Sequence, residues 1–319
     1  MYHLIRVVLF LIICFNLATS CSKKNDSPAP VVLPDTLTAG WTKITSLPKT
    51  DFRDIFFPDN LTGYAAGGQG IYKSSDGGIN WTNINTVNYE VNIGAANSNR
   101  VCFVGNGPMP YISQDGGNSF DSTSYTTAGG GTAGFKDCFF SSLNTCYFSS
   151  YRYMWKSVDG GATLDTIFNF GVSSTWTNLF FLNDQLGWIF RYEGIYKTVD
   201  GGANWALTTS LSNTFGSIWF TDQDNGYYIA NGAIYKSIDG GTTWQSVFVP
   251  ALATSGDIHF VSMTEGFFCM GNRIYKTTDA GATWTQVAAL GNEQFVEIHF
   301  NDATHGWACT TDGVVLKFN

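Results

Sequence analysis

SSDGGINW, Ser74–Trp81, is the stretch on which the fold turns, because it comes back five more times. It returns as SQDGGNSF at Ser113–Phe120, SVDGGATL at Ser157–Leu164, TVDGGANW at Thr198–Trp205, SIDGGTTW at Ser237–Trp244 and TTDAGATW at Thr277–Trp284. The aspartates Asp76, Asp115, Asp159, Asp200, Asp239 and Asp279 follow one another at 39, 44, 41, 39 and 40 residues. A period of this length marks repeated supersecondary units. Each copy has the chemistry of a tight turn: a short carboxylate accepts backbone N–H groups, Ser or Thr adds a hydroxyl, and glycine admits positive φ. The closing aromatic residue anchors the next strand. The six aspartates therefore read as structural residues.

Working outward from the first copy, Asp54-Ile55-Phe56-Phe57 is an apolar strand and Gly63-Tyr64-Ala65-Ala66-Gly67 a second. Gly70-Ile71-Tyr72-Lys73 is a third, and an outer strand starts at Trp81. Four short strands joined by three tight turns suit one blade of a β-propeller. The pattern recurs clearly in Asn178–Trp205, Ser217–Trp244 and Asp257–Trp284, and more loosely in the second and third units, where Phe120 and Leu164 replace the closing Trp. The two ends complete each other. Trp41-Thr42-Lys43-Ile44 looks like an outer strand without a turn before it, while Glu297–Phe300, Gly306–Cys309 and Gly313–Phe318 are three inner strands with no outer one after them. The sequence thus predicts an all-β, seven-bladed propeller of four-stranded blades over residues 41–319. The N-terminal strand closes the ring on the C-terminal blade and removes an exposed edge.

The first twenty residues have the layout of a secretory signal: Arg6, an apolar run Val7–Phe15, then Ala18, Thr19 and Ser20 before Cys21. The run is too short to span a bilayer. Residues 21–40, polar and then proline-rich, read as a tether. The formal charge of −8 and the lack of a basic tract argue against nucleic-acid binding. Besides Cys21, the part after the signal holds Cys102, Cys138, Cys146, Cys269 and Cys309, with no CxxC spacing. Buried free thiols are the main expectation, and a Cys138–Cys146 bridge the alternative.

Leu17-Ala18-Thr19-Ser20-Cys21 resembles the bacterial lipobox, which implies cleavage before Cys21 and lipidation of its sulfur. Similarity to lipoproteins beginning Cys-Ser-Lys-Lys, without Asp after the cysteine, implies a Gram-negative outer membrane or cell surface. The composite I-x-F, G-W/Y, I-Y-K-S/T-x-D-G-G-x-x-W resembles the Asp-box, or bacterial neuraminidase, repeat propellers. Within these it is most similar to the photosystem II assembly and stability factor-like family, over roughly Trp41 to Asn319. That resemblance implies a non-catalytic propeller that binds protein partners, and the residues themselves call for no cofactor and no metal. Fold-level likeness leaves function to the residues. Sialidases share the turn, but Phe52-Arg53-Asp54-Ile55 lacks the Ile-Pro of their Arg-Ile-Pro segment, and Tyr192-Glu193 reads as a turn. A glycoside hydrolase or carbohydrate-binding lipoprotein is the competing reading.

In this topology one face carries the turns between second and third strands and the crossings between blades, and the aspartate turns lie opposite. Arg53, Arg152, Arg191 and Arg273 fall on the first face, together with Tyr89, Tyr153, Trp176 and Tyr192. Tyr125, Tyr151 and Phe170 lie in or beside the same loops. Arg, Tyr and Trp are the residues favoured at binding hot spots, so this face is the expected contact for a protein or glycan, centred on the third and fourth blades. The longest crossing, Ser122 to Lys136, includes Ala128-Gly129-Gly130-Gly131 and is expected to cover the channel mouth. It lacks the Lys and Ser/Thr of a phosphate loop. Asp54, Asn92, Asp137, Asn178, Ser217, Asp257 and Glu297 open the inner strands at equivalent positions and predict a polar ring around the axis. Hydrogen bonding between blades is its expected role, a hard-cation site the alternative. His259 and His299, two residues further on, are expected to pack.

Overall fold

In the computed structural model, the structure describes residues 34–48, 50–85, 91–105, 110–122, 124–126, 134–174, 176–212, 215–250 and 256–319. Cys21 and Tyr89, the signal and most of the tether, and the glycine run at 128–131 lie outside them.

Inner strands such as Gly63–Gly67 are buried along their length and outer strands such as Thr82–Asn85 are partly exposed, and they assemble into seven separate sheets, each built on four antiparallel strands. The first blade is Phe52–Phe56, Gly63–Gly67, Gly70–Ser74 and Thr82–Asn85. The seventh is Phe295–Asp302, His305–Thr310 and Val315–Phe318, completed by Trp41–Ile44. Its register pairs Trp41 with Phe318 and Ile44 with Val315, so the opening tryptophan strand closes the ring as the sequence predicts. Two blades carry an unforeseen fifth strand. Thr36–Leu37 adds antiparallel to the outer strand Thr285–Ala289 of the sixth blade. Ser124–Thr126 adds parallel to Thr163–Asn169 of the third.

These additions correct two expectations. The end of the segment read as tether is held on the body: Asp35 accepts from Gly291 N at 2.9 Å and pairs with Lys43 at 3.0 Å. The Ser122–Lys136 crossing is not one open loop, because its first residues finish the second blade and then line the outer edge of the third, Tyr125 included. Unpaired edge N–H and C=O groups on those blades explain the additions.

The aspartate turn works as its chemistry requires. Ser74 Oγ donates to Asp76 Oδ1 at 2.9 Å and accepts from Gly78 N at 2.9 Å. Asp76 Oδ1 also accepts from Ile79 N and Asn80 N. Gly77 and Gly78 have φ of +71° and +88°. The backbone N–H of Asn80, first among these donors, holds the Asp76 carboxyl below the usual range. The hydroxyls of Ser119, Thr243 and Thr283 do the same for Asp115, Asp239 and Asp279, at about 2.

The G-W/Y and I-x-F parts of the repeat meet at the seams between blades. The aromatic ring of one blade stacks on the phenyl ring of the next: Tyr147 on Phe181 at 3.7 Å, Trp188 on Phe220 at 3.6 Å and Phe267 on Phe300 at 3.8 Å. The preceding glycine is required by contact, since a Cβ on Gly306 would sit 2.2 Å from the Phe300 ring. The lysine of I-Y-K reaches the next blade's turn, as in Lys73 Nζ to Gly116 O at 2.7 Å. All five cysteines after the tether are buried and free, and Cys146 sits opposite Phe140 rather than Cys138.

Candidate functional site

Because the strands of each blade alternate in direction, the crossings and the turns between second and third strands share one face. An axial cavity of about 330 Å³ is lined from that face by the inner strands. Its upper layer is the polar ring, which joins blade to blade. Asp54 Oδ2 accepts from Ile93 N at 2.6 Å, Asp137 Oδ2 from Leu179 N at 2.6 Å, Asn178 Oδ1 from Ile218 N at 2.9 Å and Asp257 Oδ2 from Ile298 N at 3.2 Å. Asn92 donates to Lys136 O. Burial disfavours charge here. It raises the Asp137 carboxyl to about 8 and pushes those of Asp54, Asp257 and Glu297 upward.

One step deeper, six of the seven inner strands place an aromatic ring, and these form a chain around the axis. Phe139 lies 5.7 Å from Phe180, Phe180 4.9 Å from Trp219, and Trp219 4.0 Å from His259. His259 lies 5.1 Å from His299, and His299 4.4 Å from Phe56. Gly94 of the second blade leaves the one gap, because a Cβ there would come within 2.9 Å of Cys138. Both histidines pack as expected. His299 Nε2 lies 2.9 Å from Phe57 O, and burial lowers its imidazole to about 4 and that of His259 as well. Among the described residues, no three His, Cys, Asp or Glu groups are arranged to hold a metal ion.

The expected binding residues divide sharply. Trp176 is 41% exposed, donates its indole N–H to Gly216 O at 3.0 Å and meets Phe215 edge-on at 6.0 Å. Phe215 is itself exposed and lies 5.3 Å from Tyr192, so the structure builds an aromatic cluster across the fourth and fifth blades. Sequence reasoning missed Phe215, whose signal was its place just before an inner strand. Arg53 is exposed and pairs with Asp51 at 2.9 Å, and exposed Arg152 donates to Ser173 Oγ at 2.7 Å. Tyr153 is half-buried against Trp155, and Arg273 lies 3.4 Å from the Tyr275 hydroxyl. Arg191 corrects the expectation, for it is fully buried. It pairs with Glu193 at 2.6 Å, donates to Val172 O at 2.9 Å and lies 4.0 Å over the Phe170 ring. A guanidinium so enclosed ties loops together and has no face for a partner. The arginines thus sit on four blades, each engaged locally.

No protein-family model and no curated protein matches the chain. Solved structures share its fold. YCF48 bound to D1 peptide superposes with a TM-score of 0.72 at 19% identity, over 90% of this chain and 99% of that one. YCF48 from Cyanidioschyzon merolae gives 0.71 at 17%, over 88% and 99%. The GH74 xyloglucanase from Xanthomonas campestris gives 0.66 at 12% identity, over 88% of this chain and 53% of the enzyme. Likeness at these identities establishes the architecture, a seven-bladed propeller similar to that of YCF48.

Proposed function

We propose that this chain is a non-catalytic, lipid-anchored propeller of the bacterial cell envelope that captures a protein partner on the face bearing Trp176. The observation that carries the reading is the cluster of exposed Trp176 and Phe215 with half-buried Tyr192, on the face that also bears exposed Arg152, a composition concentrated at protein-binding hot spots. A neighbour that matches almost end to end is a propeller bound to a peptide, which supports protein recognition as the use of this fold. The anchor rests on the Leu17–Cys21 sequence, whose sulfur would carry the lipid and hold the body at an outer membrane or cell surface.

The test is crosslinking capture from envelope extracts of the source bacterium, with the lipidated protein as bait. A specific protein recovered with the native chain and lost with Trp176→Ala/Phe215→Ala supports the reading. Equal recovery with both baits refutes it. Replacement of Cys21 by Ser should release the protein from the membrane fraction, and retention there would refute the anchor. The second reading, a glycan-binding or glycan-cleaving lipoprotein, draws on the GH74 neighbours, though the chain spans about half of that enzyme. Turnover of envelope glycans by the purified protein would establish it in place of the first.

A further inference from the structure

We propose that the axial cavity, whose mouth Trp176 borders, is a receptor for an organic cation, an alkylammonium or guanidinium group. Two different features of the cavity point to this class of ligand.

The first is the aromatic chain. Trp219, Phe180, Phe139 and Phe56 line the cavity with ring surface, and a cation close to such rings is attracted by their quadrupoles, most strongly by Trp. The second is the layer of carboxyl groups above, which burial holds toward the neutral form and which a bound cation would draw into the charged one. Asp54, Asp137 and Asp257 are each more than nine-tenths buried, and half-buried Glu297 joins them. None of the ion pairs among the described residues includes any of the four. The deeper imidazoles of His259 and His299 add no cation of their own, since burial lowers both. The two cations at the mouth are engaged elsewhere, Arg53 with Asp51 and Lys136 over the Tyr151 ring at 4.4 Å.

Size and access narrow the ligand. A volume of about 330 Å³ is at the lower end for small-molecule pockets, suited to one head group. Trp176 and Arg53 line the cavity and are also exposed, so its mouth opens on the crossing face. A hard metal ion fits poorly, because it wants six or more oxygens converging at short range. Here each aspartate oxygen named above is turned to a neighbouring blade's N–H, and the deeper layer is rings.

The cation could arrive free or at the tip of a partner's lysine or arginine. Calorimetric titration of the purified protein with tetramethylammonium and with a short lysine peptide tests both, beside 3,3-dimethylbutanol and the norleucine peptide as neutral counterparts. We expect a charged probe to bind at least about tenfold more tightly than its neutral counterpart. Asp257→Asn and Trp219→Leu should each weaken it about fivefold or more. Asn occupies the equivalent position in the second and fourth blades, which keeps the first variant folded. Tighter binding of the peptide than of the free amine would assign the cation to a partner, and the reverse to a small molecule. Equal binding of neutral and charged probes, no binding of either at millimolar concentration, or displacement of the probe by calcium alone would overturn the proposal. Capture of a protein through Trp176 surviving any of these results would leave the proposed function standing.

Discussion

The indole of Trp307, in the last blade, lies 3.6 Å from the phenyl ring of Phe57, in the first, with 4° between the planes. The indole N–H donates to Gly77 O at 3.0 Å, inside the first aspartate turn. The seam that closes the ring therefore uses the same stack as Trp188 on Phe220 within the chain, although its two residues are far apart in sequence. Burial of such a pair contributes several kcal/mol, and an intact circle depends on it. Trp307→Ala should lower stability by about 3–5 kcal/mol, read as a shift of the urea midpoint. A loss under about 1 kcal/mol would mean that the ring tolerates an open seam.

Closure has a second component in the strand Trp41–Ile44, which covers the free edge of Val315–Phe318. Removal of residues through Ile44 should expose that edge and convert a monodisperse protein into oligomers on sizing columns with light scattering. A monomer of unchanged thermal midpoint would show that the strand is dispensable.

Arg191 and Arg152 occupy neighbouring loops on the same face and should respond oppositely to replacement. Arg191 is fully buried, with its guanidinium on Glu193, two carbonyls and the Phe170 ring. Truncation would leave a partly buried carboxylate and the Val172 carbonyl without this donor, while Tyr151 O keeps the Ser174 N–H at 2.7 Å, so Arg191→Ala should cost about 3 kcal/mol in equilibrium unfolding. Arg152→Ala, at an exposed site, should stay within about 0.5 kcal/mol. Similar losses for both would contradict these environments.

The sixth aspartate turn reads DAG where the others read DGG, and Ala280 adopts φ of +56°. A left-handed alanine costs about 1–2 kcal/mol, and the added freedom of an unfolded glycine offsets part of the relief. Ala280→Gly should therefore stabilise the protein by about 0.5–1 kcal/mol in urea titrations. A destabilised variant would show that the alanine methyl has a packing role at this turn.

The ring, its seven blades and the place of closure were legible because the turn repeats with its flanking strands, and strand direction then fixes the two faces. Arg191 was illegible for a physical reason. Its burial comes from Phe170, Val172 and Tyr151 of the preceding blade, which only the assembled seam brings to it. The polar ring was legible by alignment of inner strands. The aromatic layer below it was only half read: His259 and His299 stood out as unusual, while Phe56, Phe139, Phe180 and Trp219 looked like ordinary core residues of the I-x-F strand. Thr36–Leu37 gave no signal, since two residues added to an edge carry no periodicity.

The polar ring also sets how stability should vary with pH. Burial, with smaller contributions from Asp54 and Asp257, raises the Asp137 carboxyl to about 8 in the folded protein, against about 4 in the unfolded chain. The folded state then binds more protons than the unfolded one between these values, so stability falls as pH rises through that window. Below about pH 4 the penalty is absent, and above about pH 8 it is complete. Asp137→Asn removes it while keeping an oxygen for the Leu179 N–H, as Asn178 does for Ile218 N–H. Urea midpoints of the native chain should therefore decline between pH 7 and pH 9, above the range where the lowered His259 and His299 titrate with the opposite sign, and the variant should decline less. Its advantage should exceed about 1 kcal/mol at pH 9 and shrink toward pH 4. A variant less stable than the native chain at pH 9 would show that the Asp137 carboxylate is stabilised in its charged form, contrary to the environment described.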